Sequence, residues 1–249
     1  MHATGIDEDY VKCAIAGGVS VLGFSDHAPM PYGGGYVSYY KMTPEELPTY
    51  TSSILTLKEK YADKIEIHMG LETEYYPSLW ERSLELWSGY PVEYLLLGQH
   101  FTGEETDPDR DPSPTPSADK ERVRRYVDRV ITAIGTGRIT YIAHPDLINY
   151  TGDDTDFYFT EMERLIRAAM AAGTPIEYNL LGQRQKRCYP REEFWRIASS
   201  LRAPTVIGCD SHEPWRVAEP GELSEAYRFA DRLSLNLVDR LTLVDPFDP

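Results

Sequence analysis

The sequence contains little cysteine. Its three cysteines, Cys13, Cys188 and Cys209, cannot all pair with one another, lie far apart in 249 residues and form no Cys-x-x-Cys motif. A disulfide framework is therefore not expected, and a reducing compartment is the simpler interpretation, so we predict a cytoplasmic protein. A chain of this length buries a sufficient core without disulfides, and one α/β domain over residues 1–249 is expected.

Three further absences narrow the class of protein. No basic segment followed by an apolar run comes after Met1, which argues against a secretory signal. No run approaches 18 apolar residues, which argues against a membrane span. The formal charge of −15, from 25 basic and 40 acidic residues, disfavours binding to nucleic acid or to an anionic membrane. An anionic small molecule remains compatible, because metals and a few local arginines can reverse the potential inside a pocket.

Strand-like and helix-like segments alternate along the chain. Six short segments rich in β-formers are predicted strands: residues 19–25, 65–71, 92–97, 139–143, 175–180 and 204–208. Helical periodicity lies between them, and Thr43, Pro44 and Glu46 resemble a capped helix start. The alternation indicates parallel strands with crossover helices. A β/α barrel is favoured over an open dinucleotide-binding sheet, because no Gly-x-Gly-x-x-Gly follows the first strand.

Polar residues able to bind a ligand follow six strands in turn. They are His27, Glu72, His100, His144, Asn179 and Asp210. A single histidine at a strand end is most often structural, and His144-Pro145-Asp146 is also a good turn. The carboxyl ends of barrel strands, however, meet at one mouth. Imidazole and carboxylate are ligands of divalent metals, so the repetition predicts a polynuclear metal site at this mouth. We interpret His68, in the middle of a strand, as structural.

Two loops follow strands that carry these candidates. Residues 28–42 are rich in Pro, Gly and Tyr, and residues 103–117 are acidic and rich in proline. Both are candidates for lids over the site. A disordered surface insertion is an equally good interpretation of the second loop.

Five short motifs, taken together in their order, resemble the PHP family, named for polymerase and histidinol phosphatase. They are Gly23–Pro29 (GFSDHAP), Gly70–Glu74 (GLETE), Gly98–His100 (GQH), Ala143–Asp146 (AHPD) and Gly208–His212 (GCDSH). Within the family the chain is most similar to the stand-alone histidinol-phosphate phosphatases. The resemblance covers nearly the whole chain.

The resemblance implies a distorted seven-stranded (β/α)7 TIM-like barrel with up to three divalent metals, zinc, manganese or iron, at its mouth. One metal is expected on His2, His27 and His212. A second is expected on Glu72, His100 and His144, and Asp210 joins Glu72 on a third. Asp26, counted with the catalytic residues, and Asp146 match positions that orient imidazoles.

One departure from the family pattern affects these expectations. The family opens with a strand that carries His-x-His, and this chain starts just after that position. We therefore expect a barrel that lacks its first strand, which agrees with the six strands predicted above. The third metal site would be incomplete, and the exposed barrel edge would favour a homo-oligomer.

A basic segment provides a candidate handle for the substrate. Residues 177–190 resemble the Glu-x-Asn-x-x-Gly-x-Arg…Tyr-Pro stretch of the phosphatase branch. Arg184 is the expected catalytic and phosphate-binding residue, because a guanidinium grips two phosphate oxygens, and Asn179 and Lys186 are further candidates. A solvated basic loop is the competing interpretation, favoured slightly for Lys186, Arg187 and Arg191.

The resemblance implies hydrolysis of a phosphate monoester, with L-histidinol phosphate as the expected substrate and metal-activated water as the nucleophile. One alternative is a phosphoesterase of the same scaffold acting on another phosphorylated metabolite. Another is a truncated, metal-poor homologue without enzymatic activity. Neither nucleic acid nor membrane is an expected partner.

Overall fold

The computed structural model describes residues 3–108 and 110–248. Seven parallel strands form one sheet, in which each strand lies beside its neighbour in the chain. The strands are β1 (Val21–His27), β2 (Glu66–Thr73), β3 (Tyr94–Leu97), β4 (Tyr141–Ile142), β5 (Ile176–Asn179), β6 (Pro204–Gly208) and β7 (Asn236–Leu237). Helices follow most strands in the chain, and such crossovers join consecutive parallel strands of one sheet.

Eight α-helices connect and flank the strands in the described part of the chain. They are α1 (Asp7–Ala16), α2 (Leu47–Lys60), α3 (Trp80–Ser88), α4 (Lys120–Ile134), α5 (Thr155–Ala171), α6 (Leu180–Gln185), α7 (Glu192–Leu201) and α8 (Pro220–Leu233). A short 3₁₀ helix covers Pro214–Arg216. None of these helices combines the length and the apolar composition that crossing a membrane requires.

The sheet contains all six predicted strands, and the α/β alternation of the barrel is confirmed. The predicted count of six was wrong, because β7 is a seventh strand. It is only two residues long, too short to show alternating polarity in the sequence. The helix predicted to start at Thr43 begins instead at Leu47. The Thr43 backbone N–H does donate to Glu46 Oε2 at 2.8 Å, but within a turn that precedes the helix.

The sheet is curled and open along one side. A cavity of about 180 Å³ is lined by residues of all strands from β1 to β6, which a flat sheet would not allow. Among the described residues, β1 pairs only with β2, and β7 pairs only with β6. The sheet is therefore an open barrel with β1 and β7 at its two edges.

The C-terminal segment packs against the inside of this curved sheet. Leu243 contacts a small apolar cluster of Tyr94, Leu96 and Ala143, which is separate from the main core. The Val244 backbone N–H donates to Thr140 Oγ1 at 3.1 Å, at the start of β4. The segment thus covers apolar residues of β3 and β4 that would otherwise face water.

Candidate metal centre

Register and strand length bring His27 and Glu72 side by side. In the parallel pair β1–β2, the last residue of β1, His27, is directly paired with Glu72. His100 follows β3 and His144 follows β4 on the same edge of the sheet. Four candidates from four different strands therefore reach one end of the barrel, as the position of strand ends predicts.

Glu72 lies at the centre of this group. Its carboxylate oxygens are 3.4 Å from His27 Nδ1, 3.3 Å from His144 Nε2 and 3.7 Å from His100 Nε2. Ligand atoms of His27, Glu72 and His100 all lie within 4.8 Å of one another. Two imidazoles and a carboxylate at this spacing fit a divalent cation such as zinc.

Buried atoms around Glu72 lack partners within the protein. Glu72 Oε1 and His144 Nδ1 have no hydrogen-bond partner in the described part of the chain. A Cβ at Gly98 would lie 1.9 Å from Glu72 Oε1, so only glycine there leaves room for the carboxylate. Burial raises the pKa of Glu72 to about 8, with Asp210 adding to the rise and His100 opposing it. A cation beside Glu72 Oε1 would satisfy this oxygen and favour the ionised carboxylate.

A second polar group lies beside the first, at the end of β6. His212 Nδ1 is 3.6 Å from Asp210 Oδ1. The Asn179 amide donates to Asp210 Oδ2 at 3.0 Å and to Glu177 Oε2 at 2.9 Å. Asp210 has a φ of +42° and His144 a φ of +32°. Backbone in this region is costly for residues with a side chain, and such conformations cluster at functional sites.

One cavity of about 410 Å³ joins both groups, within the usual size of a small-molecule site. Six of the seven predicted metal ligands line it: His27, Glu72, His100, His144, Asp210 and His212. The seventh, His2, lies outside the described residues. Thr4, two residues later, donates its backbone N–H to the His212 carbonyl at 2.8 Å.

The cavity also contains residues of both predicted lids. Tyr39 and Tyr40 come from the first loop, and Pro112 and Pro114 from the second. The end of the second loop is held by the buried Arg122, whose Nε donates to Asp111 Oδ2 at 2.6 Å and whose Nη1 donates to the Thr115 carbonyl at 2.6 Å. This part of the loop is fixed to the barrel.

The structure separates the basic residues that the sequence places together. Arg184 Nη1 donates to Glu222 Oε2 at 2.8 Å, and Arg184 does not line the described cavities. Lys186 is exposed and does not line them either. Arg187, for which a solvated loop position was favoured, lines the cavity that contains the histidines. Its Nη1 donates to Tyr189 Oη at 2.8 Å. Asn179 lines the smaller, inner cavity.

The two aspartates expected to orient imidazoles make backbone hydrogen bonds. Asp26 Oδ1 accepts from the His27 backbone N–H at 3.0 Å, and Asp26 lines the inner cavity. Burial raises the pKa of Asp26. Asp146 Oδ2 accepts from the Arg191 backbone N–H at 2.5 Å. His68 lies away from the cluster, between Glu66 and Glu93, at 2.8 Å from each carboxylate.

Asp146 gives a pH-dependent contribution to stability. Burial raises its pKa from 3.8 to about 7, although the Arg191 hydrogen bond opposes the rise. The folded protein therefore holds this proton more tightly than the unfolded chain does. The stabilisation is complete below the unfolded pKa and is lost as the pH rises through about 7. In metal-free protein, Asp146→Asn is expected to remove about 3 kcal/mol of the stability loss between about pH 5 and pH 8.

Urea unfolding of both proteins at several pH values measures this effect. Asparagine retains an oxygen that accepts from Arg191, so the local geometry is preserved while the titration is removed. An unchanged pH dependence in Asp146→Asn would show that Asp146 does not carry it.

Comparison with known proteins agrees with this geometry. The sequence pattern that defines the PHP domain matches residues 1–180. A curated protein of Deinococcus radiodurans, named "Probable histidinol-phosphatase", is 28% identical over 240 residues, which cover 92% of this chain and 86% of that protein. A Schizosaccharomyces pombe protein of the same name is 24% identical over 249 residues, covering 91% and 81%.

A solved structure shares the fold. It is a histidinol phosphate phosphatase from Lactococcus lactis in complex with zinc, L-histidinol and phosphate. It superposes with a TM-score of 0.70 at 17% identity, covering 99% of this chain and 93% of that one. The curled parallel sheet, the histidines at its mouth and the match over residues 1–180 lead to one conclusion: this chain belongs to the PHP domain family.

Proposed function

We propose that this protein is a metal-dependent phosphatase that hydrolyses L-histidinol phosphate to L-histidinol and phosphate. The observation that carries the proposal is the cluster of His27, Glu72 and His100, whose ligand atoms lie within 4.8 Å of one another at the mouth of the barrel. The names of the two curated relatives, and the zinc, histidinol and phosphate bound by the structural neighbour, support the substrate.

The residues around Glu72 would hold the metals. His27, Glu72 and His100 would form the first site, and His144 Nε2 lies 3.3 Å from Glu72 Oε1, the oxygen that His100 also faces. Asp210 and His212 would supply ligands for a further site in the same cavity. We propose zinc, manganese or iron, in up to three positions, because all three metals accept mixed imidazole and carboxylate ligands. When bound, such cations make water a stronger nucleophile near neutral pH and offset the negative charge of the phosphate.

We assign phosphate binding to Arg187 in place of Arg184. Arg187 lines the same cavity as the histidines, and its guanidinium carries donors that match two phosphate oxygens. The Arg184 side chain is only 13% exposed and pairs with Glu222. Glu222 Oε1 also accepts from Arg216 Nη1 at 2.7 Å. Arg184 therefore contributes to the packing of α6 against α8, and we propose Arg187, three residues later in the same segment, as the phosphate-binding arginine.

The remaining wall of the cavity would bind the organic part of the ester. Tyr39, Phe101, Pro112 and Leu181 line it with aromatic and apolar surface. A flat heteroaromatic ring such as imidazole packs well against such side chains. These side chains would provide a place for the leaving group in the same cavity that Arg187 and the histidines line.

Phosphate release from a panel of esters tests this function. Zinc-loaded or manganese-loaded protein is expected to hydrolyse L-histidinol phosphate with a higher kcat/KM than glycerol phosphate or a nucleoside monophosphate. Hydrolysis of the other esters but not of histidinol phosphate would reject the substrate while retaining the phosphatase. Protein that binds no metal and hydrolyses none of the esters would support a role without catalysis.

A further inference from the structure

A buried lysine lies directly beside the metal centre, among residues that the proposed chemistry does not use. The Lys41 side chain is 1% exposed, as is that of Glu74, and that of Glu105 is fully buried. Lys41 Nζ contacts Glu74 Oε2 and lies 2.5 Å from Glu105 Oε2. Burying two carboxylates and one ammonium away from water costs folding free energy unless every carboxylate oxygen has a hydrogen-bond or ionic partner.

Tyrosine hydroxyls provide these partners. Tyr32 and Tyr36 donate to the two oxygens of Glu105, at 2.5 and 2.9 Å. Tyr40 and Tyr76 donate to Glu74 Oε2, at 2.8 and 2.5 Å. Together with Lys41, these hydroxyls satisfy both oxygens of Glu105 and the Oε2 oxygen of Glu74.

The two oxygens of Glu74 have different partners. Oε2 faces Lys41, Tyr40 and Tyr76. Oε1 accepts the His100 backbone N–H at 2.7 Å. It also lies 3.5 Å from His100 Nδ1, a contact without hydrogen-bond geometry to a nitrogen that has no other partner in the described part of the chain. The nitrogen of His100 that faces Glu72 is the other one, Nε2. Lys41 thus contacts the Oε2 oxygen of Glu74. The Oε1 oxygen remains next to His100 Nδ1, the ring nitrogen that faces away from Glu72.

The same lysine joins the two loops that line the cavity. Lys41, Tyr32, Tyr36 and Tyr40 belong to the loop after β1, and Glu105 belongs to the loop after β3. The Tyr40 ring lies 4.9 Å from the His27 ring and 5.7 Å from the His100 ring, between centroids. The ion triad of Lys41, Glu74 and Glu105 is therefore continuous with the wall of the metal centre.

We propose that Lys41 is a positioning residue for the metal centre, which holds Glu74 so that Glu74 Oε1 orients the imidazole of His100. The inference rests on the proposed function, in which His100 binds a metal. A carboxylate behind a metal-binding imidazole fixes the ring and increases its basicity, and loss of such a partner typically costs about 10–100-fold in metal affinity. Here the orientation of the carboxylate itself depends on a buried cation.

Zinc affinity measured by competition with a chromophoric chelator tests the proposal. Lys41→Met keeps the length of the side chain but removes its charge, and it is expected to weaken zinc binding by about 10–100-fold. Lys58→Met is the matched control, because it removes an ion pair with Glu93 of 2.7 Å, whose side chains are 40% and 29% exposed. The control is expected to bind zinc as the unaltered protein does.

A second variant distinguishes a specific effect on zinc binding from a loss of folding. Lys41→Met alone leaves two buried carboxylates without a counter-ion, whereas Lys41→Met combined with Glu105→Gln retains the net charge of the triad. Circular dichroism and the melting temperature establish that the double variant folds. It is also expected to bind zinc about 10–100-fold more weakly. Glu105→Gln alone keeps the contact between Lys41 and Glu74, and its zinc affinity is expected to stay close to that of the unaltered protein.

The outcomes separate this inference from the proposed function. Folded Lys41 variants that bind zinc as tightly as the unaltered protein would overturn the positioning role. An unaltered protein that binds zinc but does not hydrolyse histidinol phosphate would reject the substrate and leave the positioning role to be judged by zinc affinity. An unaltered protein that binds no zinc would reject the metal centre and the inference together.

Discussion

Substitution of Glu72 by glutamine is expected to reduce zinc affinity by more than about 100-fold and to reduce phosphatase activity with it. The change keeps the shape of the side chain but removes the charge that three histidines surround, at 3.3 to 3.7 Å. Loss of a direct ligand should exceed the about 10–100-fold cost of losing a partner behind a ligand. Equilibrium dialysis with zinc and kcat/KM for L-histidinol phosphate measure the two effects.

Glu66→Gln provides the matched control on the same strand. Glu66 also contacts a histidine, His68, at 2.8 Å, and an arginine, Arg240, at 2.6 Å, but it lies at the other end of β2. It is expected to leave zinc affinity and kcat/KM unchanged. A Glu72→Gln protein that keeps the zinc affinity of the control would show that this carboxylate is not a ligand.

Arg187→Ala is expected to reduce catalysis, whereas Arg184→Ala is expected to reduce stability. Arg187→Ala should lower kcat/KM for phosphate esters by about 10²–10³-fold, the cost of removing one donor that stabilises charge in the transition state. Its melting temperature should change little, because the side chain is exposed. Arg187→Lys should restore only part of the activity, because an ammonium does not bind two oxygens in a fixed fork.

Arg184→Ala should instead reduce stability and largely preserve kcat/KM. It removes one of two arginines that neutralise Glu222, whose side chain is only 10% exposed. Because Arg216 still pairs with Glu222, the loss should fall below the about 3–5 kcal/mol expected for a buried charge left alone. Steady-state kinetics and urea unfolding of both variants decide the assignment. A large loss of kcat/KM in Arg184→Ala, with no loss in Arg187→Ala, would show that Arg184 and not Arg187 binds the phosphate.

The sequence allowed the convergence of the candidate metal ligands to be predicted, because parallel strands end at a common edge. His27, Glu72, His100 and His144 each follow a recognisable strand, so topology alone places them together. The assignment of ligands to individual metals could not be derived from topology. The expected site of His2, His27 and His212 rested on the family resemblance and stays a prediction, because His2 lies outside the described residues. Among the described residues, ligand atoms of His27, Glu72 and His100 lie within 4.8 Å of one another. The distances between side chains at the barrel mouth depend on how far neighbouring strands are shifted along each other, and the spacing of motifs in the sequence does not determine this shift.

The different surroundings of Arg184 and Arg187 could not be predicted from the sequence either. Arg184 and Arg187 are three residues apart, but α6 ends between them and Lys186 has a φ of +51°. The left-handed residue turns the chain, so Arg184 faces α8 and Arg187 faces the cavity. Lys41 gave no signal at all in the sequence, because its partners Glu74 and Glu105 lie 33 and 64 residues away.

The most direct measurement is the anomalous scattering of crystals soaked in zinc, recorded on both sides of the zinc absorption edge. A metal centre at the barrel mouth predicts a strong peak within bonding distance of His27, Glu72 and His100, at roughly 2.0–2.2 Å from nitrogen or oxygen. Zinc peaks only at sites away from the barrel mouth, such as the half-buried His68, and none beside Glu72 would contradict the account.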